Sequence, residues 1–313
     1  LKIITQLLSP SAIEDGEQRV VAGIACCIAA LFLFSSLDAT TKYLVHIYPV
    51  PMVAWIRYFA QFALMTAVLA PTMGRDLLRT TRTGLALVRA ACLACVSILF
   101  IGAFARVPLA EATSIMFVSP LLVILFAKPL LRETIGALRW AAVLGGFVGV
   151  LVIARPSGQL DTLGVAMILA GALFNALYQL LSGVLRKTER APVLLYYSAL
   201  LGTVVFGFAL PIFWGGPSPT SLYYVLFVAM GVFGGVGHFL FTEAFHLAPA
   251  SLLAPIMYLQ LLISGSLGWW IFGQVPDRVT LAGMAIIATS GIAVAIYGRG
   301  QADLNAEAAH DEL

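Results

Sequence analysis

Asp38 and Lys42 stand four residues apart in one apolar run, and Arg57 lies in the next. That spacing puts two side chains on one helix face, where opposite charges can pair. Charged groups inside an apolar span are costly and usually face a cavity or a partner. The trio therefore reads either as a salt-bridge cluster that holds helices together or as a gate whose ion pairs make and break. Arg106 and Glu111 offer a similar pair. Glu243, near the end of a later apolar run, reads as a proton-coupling carboxyl or as an interface residue reaching for water. Glu133, among Lys128, Arg132 and Arg139, reads as a loop ion pair.

Uncharged polar residues form a second set: Gln61, Ser97, Ser119, Asn175, Tyr178, Gln179, His238 and Gln260. They are candidates for binding a solute, because a solute stripped of water must regain its hydrogen bonds inside. Each has a plainer reading. The serines can bond their own helix backbone, and Gln260 and Asn175 can tie helices together. His238 follows Gly231-Val232-Phe233-Gly234-Gly235-Val236-Gly237, whose glycines can let helices approach closely. A mid-depth histidine is costly to bury unpaired. Phe32, Phe34, Trp55, Phe117, Phe174, Phe239 and Tyr258 could stack on a planar solute or simply pack.

Other chemistries find little support. Cys92-x-x-Cys95 has half of a metal motif, but a structural zinc site needs four ligands and no second pair follows; Cys26 and Cys27 are adjacent. No His-Glu-x-x-His, Gly-x-Ser-x-Gly or Walker-type phosphate loop occurs, so neither an intramembrane enzyme nor an ATP-driven machine is indicated. No metal or cofactor is expected. A net charge of +3 without basic blocks gives no nucleic-acid partner.

The elements that position these residues follow from composition. Hydrophobic residues make up 61% of the 313 and charged residues 11%, against about 25% charged in soluble domains. The lipid bilayer is therefore the expected solvent. Residues 23–141, shifted by 141 positions, fall on 164–282 with matches in constant register. Gly23 meets Gly164, Pro51 meets Pro192, Pro108 meets Pro249 and Met116 meets Met257. Under this shift Asp38 falls on Gln179, Ser97 on His238 and Ser119 on Gln260.

A spanning helix needs about 20 mostly apolar residues. Ten such runs are expected, near 20–40, 52–70, 84–105, 109–131, 138–154, 162–185, 192–213, 221–245, 250–272 and 279–298. The fold class is an all-α polytopic membrane protein of ten transmembrane helices. With Arg57 and Arg89 set aside as span-end residues, lysine and arginine divide twelve against four between the two sets of loops, which places both termini in the cytoplasm. Five spans per repeat is odd, so residues 20–155 and 161–298 form inverted repeats. Residues 1–19 are a short N-terminal segment without signal-peptide pattern, and 299–313 a disordered polar tail. Its last four residues, His310-Asp311-Glu312-Leu313, match a luminal retention signal; on a cytoplasmic tail the match is coincidental.

Ala105-Arg106-Val107-Pro108-Leu109-Ala110-Glu111-Ala112, Ser119-Pro120, Leu131-Arg132-Glu133-Thr134 and Gly145-Gly146-Phe147-Val148-Gly149-Val150 follow one another in the first copy. In order and spacing they resemble the EamA branch of the drug/metabolite transporter superfamily. The second copy has Ala244-Phe245-His246-Leu247-Ala248-Pro249-Ala250, with Leu261 where the first has Pro120 and Gln274 where it has Glu133. The resemblance implies secondary transport of a small organic solute by alternating access in a bacterial inner membrane. Export of amino acids or related metabolites is expected, by a monomer or homodimer. Import of a nucleoside-like metabolite is the alternative, with a passive channel or intramembrane enzyme further off.

Overall fold

The computed structural model describes residues 16–131, 137–154, 160–185, 188–248 and 250–293. Among them the secondary structure is helical. The helices are α1 (Gly16–Val45), α2 (Val50–Met73), α3 (Thr83–Phe104), α4 (Leu109–Met116), α5 (Ser119–Leu131) and α6 (Ala137–Ala154). Then follow α7 (Thr162–Leu185), α8 (Ala191–Phe213), α9 (Ser221–Leu247), α10 (Ala250–Met257) and α11 (Leu259–Phe272), and α12 (Arg278–Ala293). Six of them, α1, α2, α3, α7, α8 and α9, are long and apolar enough to cross a membrane, and shorter apolar helices accompany them. The outward surface is apolar as well: Phe208 is 80% exposed and Trp270 82%. Such a surface suits lipid and not water.

Local sequence explains the ends. Pro51 and Pro192 sit in the first turns of α2 and α8, where a missing N–H costs nothing. Gly273, with a φ of 66°, closes α11, and the amides of Gly273 and Gln274 return to the carbonyls of Trp269 and Gly268. A left-handed residue of this kind is the usual glycine stop.

The helices pair in matched sets. α1 packs along α9 as α7 packs along α3; α2 meets α9 as α8 meets α3; α1 meets α11 as α7 meets α5. α2 packs against α8, its own counterpart under the shift. Close approach is bought by glycine at a few points. A Cβ on Gly231 would stand 2.7 Å from that of Ala60. One on Gly149 would stand 2.9 Å from the Gly283 carbonyl, where α6 crosses α12. α9 runs unbroken through Gly234-Gly235, so these glycines serve helix approach and not a bend.

Two expected helices differ from the sequence reading. The runs 109–131 and 250–272 are each broken, after Met116 and after Met257, which the shift superposes. Pro120 lies in the first turn of α5, but Leu261 takes its place in the second copy, so proline at that position does not account for both breaks. What they share is each other: Phe117 and Tyr258, the turn residues 141 apart, touch with ring centroids 5.1 Å apart. Tyr258 also presses its hydroxyl on Gly291, where any Cβ would overlap it.

Chain reversals gather at two ends. At one, Lys42 reaches the backbone of residues 104 and 107, Gly216 lies on Tyr48, Arg106 meets Asp161 and Gln274 accepts from the Leu109 amide. At the other, Glu189 accepts from the Thr81 amide and hydroxyl and the Arg82 amide, and Tyr197 donates to the Leu78 carbonyl. The Thr81 hydroxyl and its neighbours hold the Glu189 carboxyl below its ordinary value of 4.5. A depressed carboxyl pKa adds stability above the unfolded value and loses it as pH falls through the folded one. Amide exchange at Thr81 and Arg82 should therefore be slow at neutral pH and accelerate below about pH 4.5. Exchange independent of pH, after correction for intrinsic rates, would contradict this tie.

Candidate solute site

The buried polar groups divide into those already committed to protein partners and those left open. Lys42, 2% exposed, donates to the Phe104 and Val107 carbonyls at 2.7 Å each and lies 5.6 Å over the Phe272 ring. Arg89 donates Nε to Ser182 Oγ, Nη1 to the Leu194 carbonyl and Ser198 Oγ, and Nη2 to the Tyr178 hydroxyl. Its guanidinium stands 4.3 Å from the Tyr178 ring centre. Tyr58 donates to the Leu93 carbonyl and shares a 2.8 Å hydrogen bond with Ser97. Gln179 Nε2 donates to Ser119 Oγ at 3.2 Å.

The open set lies where α1, α2 and α9 meet. Asp38 on α1 faces Arg57 on α2, with Nη1 and Oδ1 3.7 Å apart. One turn along α2, the Gln61 amide oxygen stands 3.8 Å from where a Gly234 Cβ would be on α9. One turn along α9, the His238 ring packs 5.0 Å from that of Phe34, which is one turn from Asp38 on α1. Three pairs spaced by four residues thus present one face each. Among the described residues none of Asp38, Arg57, Gln61 and His238 makes a side-chain hydrogen bond. Their polar atoms are not sealed, unlike the hydroxyls of Tyr48 and Thr113, which are buried without partners. Asn175 and Gln260 are likewise half-buried and open.

Several expected contacts are replaced. Asp38 does not pair with Lys42, whose amine is taken by carbonyls at the helix end. Arg106 does not pair with Glu111: it lies before the α4 turn and meets Asp161 at 3.4 Å. Glu111, inside α4, is buried and receives the Thr280 hydroxyl at 3.4 Å. Ser97 and Ser119 bond side chains of other helices, Tyr58 and Gln179. Glu243 is half-buried near Cys26. The four thiols are free. Glu133 and Arg132 lie outside the described residues, as do the side chains of Lys128 and Arg139 and the terminal tail. Arg89, which its place near a span end sets apart from the sequence-derived candidates, is the functional residue they miss. An arginine at the sixth residue of the run 84–105 is the available signal.

Two cavities are lined by other residues. An apolar groove of 680 Å³ between α1 and α11 is lined by Ala25, Ile28, Ala29, Phe32, Leu33 and Ile263. A polar chamber of 210 Å³ at the Lys42 end is lined by Pro108, Glu111, Ile153, Leu160, Val275, Asp277 and Thr280.

The division predicts chemical reactivity. In a background without native cysteines, Gln61→Cys and His238→Cys should react with a small water-soluble thiol reagent at least tenfold faster than Ser97→Cys and Ser119→Cys. Equal rates at all four positions would erase the distinction.

The EamA-like transporter family pattern matches residues 21–155 and again 162–297. An S-adenosylmethionine uptake transporter of Rickettsia bellii is 28% identical over 301 residues, covering 92% of this chain and 98% of that protein. A riboflavin transporter of Vibrio cholerae is 31% identical, covering 74% and 78%. A pseudopaline exporter of Pseudomonas aeruginosa is 26% identical, covering 89% and 98%. A protein crystal structure superposes with a TM-score of 0.66 at 19% identity, over 90% of this chain and 99% of that one; it supports the fold. The two matches cover most of the sequence, and this multi-span membrane protein belongs to the EamA-like transporter family of the drug/metabolite transporter superfamily, whose members are transporters and not enzymes.

Proposed function

We propose that the chain moves a small organic metabolite across a bacterial inner membrane by alternating access. The observation that carries this is the open polar seam of Asp38, Arg57, Gln61 and His238. Polar groups without hydrogen-bond partners are costly inside a membrane bundle and usually face a cavity. In this reading ten crossings form two inverted repeats, 20–155 and 161–298, with both termini cytoplasmic. Residues 1–19 and 299–313 flank them, and the unit works as a monomer or homodimer. The proposed cargo is an amino acid or related metabolite, moved outward. Inward movement of a nucleoside-like metabolite is the second reading, favoured by relatives named for S-adenosylmethionine uptake and riboflavin.

Alternating access needs two closures that open in turn. The shift relates the seam of α1, α2 and α9 to that of α7, α8 and α3. At the Lys42 end the first is shut by an apolar cluster containing Leu37, Leu44, Tyr48, Met52, Val53 and Met230. Toward the Glu189 end the second is shut by Arg89 and its acceptors. Met230 and Arg89 are 141 apart, as are Ser198 and Arg57, so matched positions close by different chemistry. Water can replace the acceptors of Arg89 one by one, whereas the apolar cluster must be wetted as a unit. Gln179 and Ser119 link α7 to α5 within the second seam, with Asn175, Tyr178 and Gln260 as further polar surface.

Reconstituted protein should show saturable counterflow of a labelled metabolite against the unlabelled form. Flux proportional to concentration and indifferent to solute on the far side would instead mean a channel. Arg89→Gln should slow exchange about tenfold, as loss of roughly 1.4 kcal/mol implies, with folding retained. Unchanged exchange would leave the cluster as packing only.

A further inference from the structure

Tyr48 helps to shut the Lys42 end with one hydrogen bond missing. It lies in the turn between α1 and α2, where its amide returns to the Leu44 carbonyl. Its side chain crosses to the other repeat. The ring stands edge-on to Tyr223 and Phe227, one turn apart on α9, with centroids 5.6 and 5.5 Å away. Gly216, in the loop that leads into α9, takes a φ of 101°, and a Cβ there would stand 2.6 Å from the ring edge. The ring is thus held between that loop and α9, and only 2% of the residue is exposed. Its hydroxyl is buried there without a partner among the described residues. An unmade hydrogen bond costs free energy for as long as the group stays dry, and water removes the cost.

The shift by 141 carries Tyr48 onto Glu189 and Tyr223 onto Arg82. The contact of Tyr48 with the first turns of α9 therefore recurs at the opposite end, as the contact of Glu189 with the residues just before α3. There the bonding is complete. Glu189 accepts from the Thr81 amide and hydroxyl and from the Arg82 amide. Matched positions fasten the two ends, one of them fully bonded and the other one bond short.

We propose that Tyr48 and Glu189 are paired latches whose unequal bonding sets the resting balance, so that the protein without solute opens at the Lys42 end in preference to the Glu189 end. This rests on the alternating-access reading above. Parting the α1–α2 turn from α9 wets the Tyr48 hydroxyl and supplies its missing bond. Parting Glu189 from Thr81 and Arg82 only exchanges bonds already made for bonds to water, so nothing comparable is gained.

The test measures both ends of the reconstituted full-length protein without solute, by pulsed distances between spin labels. One label pair is at Tyr43 and Thr220, exposed at the Lys42 end, and the other at Gly183 and Arg79, exposed at the Glu189 end; a Cβ at Gly183 meets open space. The otherwise unaltered protein should be open more often at the first pair than at the second. Tyr48→Phe keeps the ring and removes the hydroxyl. It should lower the ratio of open to closed at the Lys42 end about tenfold, with Tm unchanged or raised. Glu189→Ala should raise that ratio at its own end about threefold. A Tyr48→Phe ratio that is unchanged or higher overturns the proposal, because a ring that only packs would give that result. Rest with the Glu189 end open, or no response to Glu189→Ala, overturns it as well. In each case distances that still alternate when a transported solute is added leave the transporter reading intact. Distances that never change, together with no counterflow of any solute, remove both.

Discussion

A charge placed inside a lipid-facing bundle must be answered by something, and the way each charge is answered organises this protein. Lys42 is answered by two backbone carbonyls freed where α3 ends. Arg89 is answered by two hydroxyls, a carbonyl and a tyrosine. Both arrangements spend the donors and bind helices together: Lys42 ties α1 to the turn before α4, and Arg89 ties α3 to α7 and α8. Asp38 and Arg57 answer only each other, loosely, and so retain hydrogen-bonding capacity in a place where unused capacity is expensive. A site that binds and releases a solute requires that condition, and a purely structural ion pair does not.

Pseudosymmetry distributes these roles. The contacts of α1 with α9 recur between α7 and α3, and α2 and α8 pack on one another. Two broken helices meet at Phe117 and Tyr258, so the ends of four short helices converge near one point. Broken helices expose backbone groups at membrane depth, which is tolerated only where protein or water covers them. Here the turn amides return to nearby carbonyls of their own chain segment, as Phe117 does to Thr113 and Ser114 and Leu261 to Tyr258. Side chains then depart from the symmetry, with Met230 opposite Arg89 and Ser198 opposite Arg57.

Much of this was legible in the sequence. The register of Gly23 on Gly164 and Met116 on Met257 carried the repeat, because helix packing needs small residues and turns at repeated places. Most helix limits followed from proline, glycine and charge at the ends. The breaks were not legible: Phe117 and Tyr258 sit in apolar runs, and their role arises from a contact 141 residues away. Partners of charges were equally hidden. The spacing of Asp38 and Lys42 favours a pair on an isolated helix, but the carbonyls of Phe104 and Val107 come from another helix end and win Lys42. Arg89 looked like a terminal residue because its acceptors, Ser182, Leu194 and Ser198, belong to the other repeat.

The claim on which the rest depends is that the two ends open in turn. Spin labels at His46 and Ser218, both exposed at the Lys42 end, and at Arg79 and Thr188, exposed at the Glu189 end, report each closure by pulsed distance measurement. On addition of a transported solute to the reconstituted protein, one pair should lengthen as the other shortens. Distances that rise together at both ends, or populations with both pairs long, would contradict alternating access and describe an open pore.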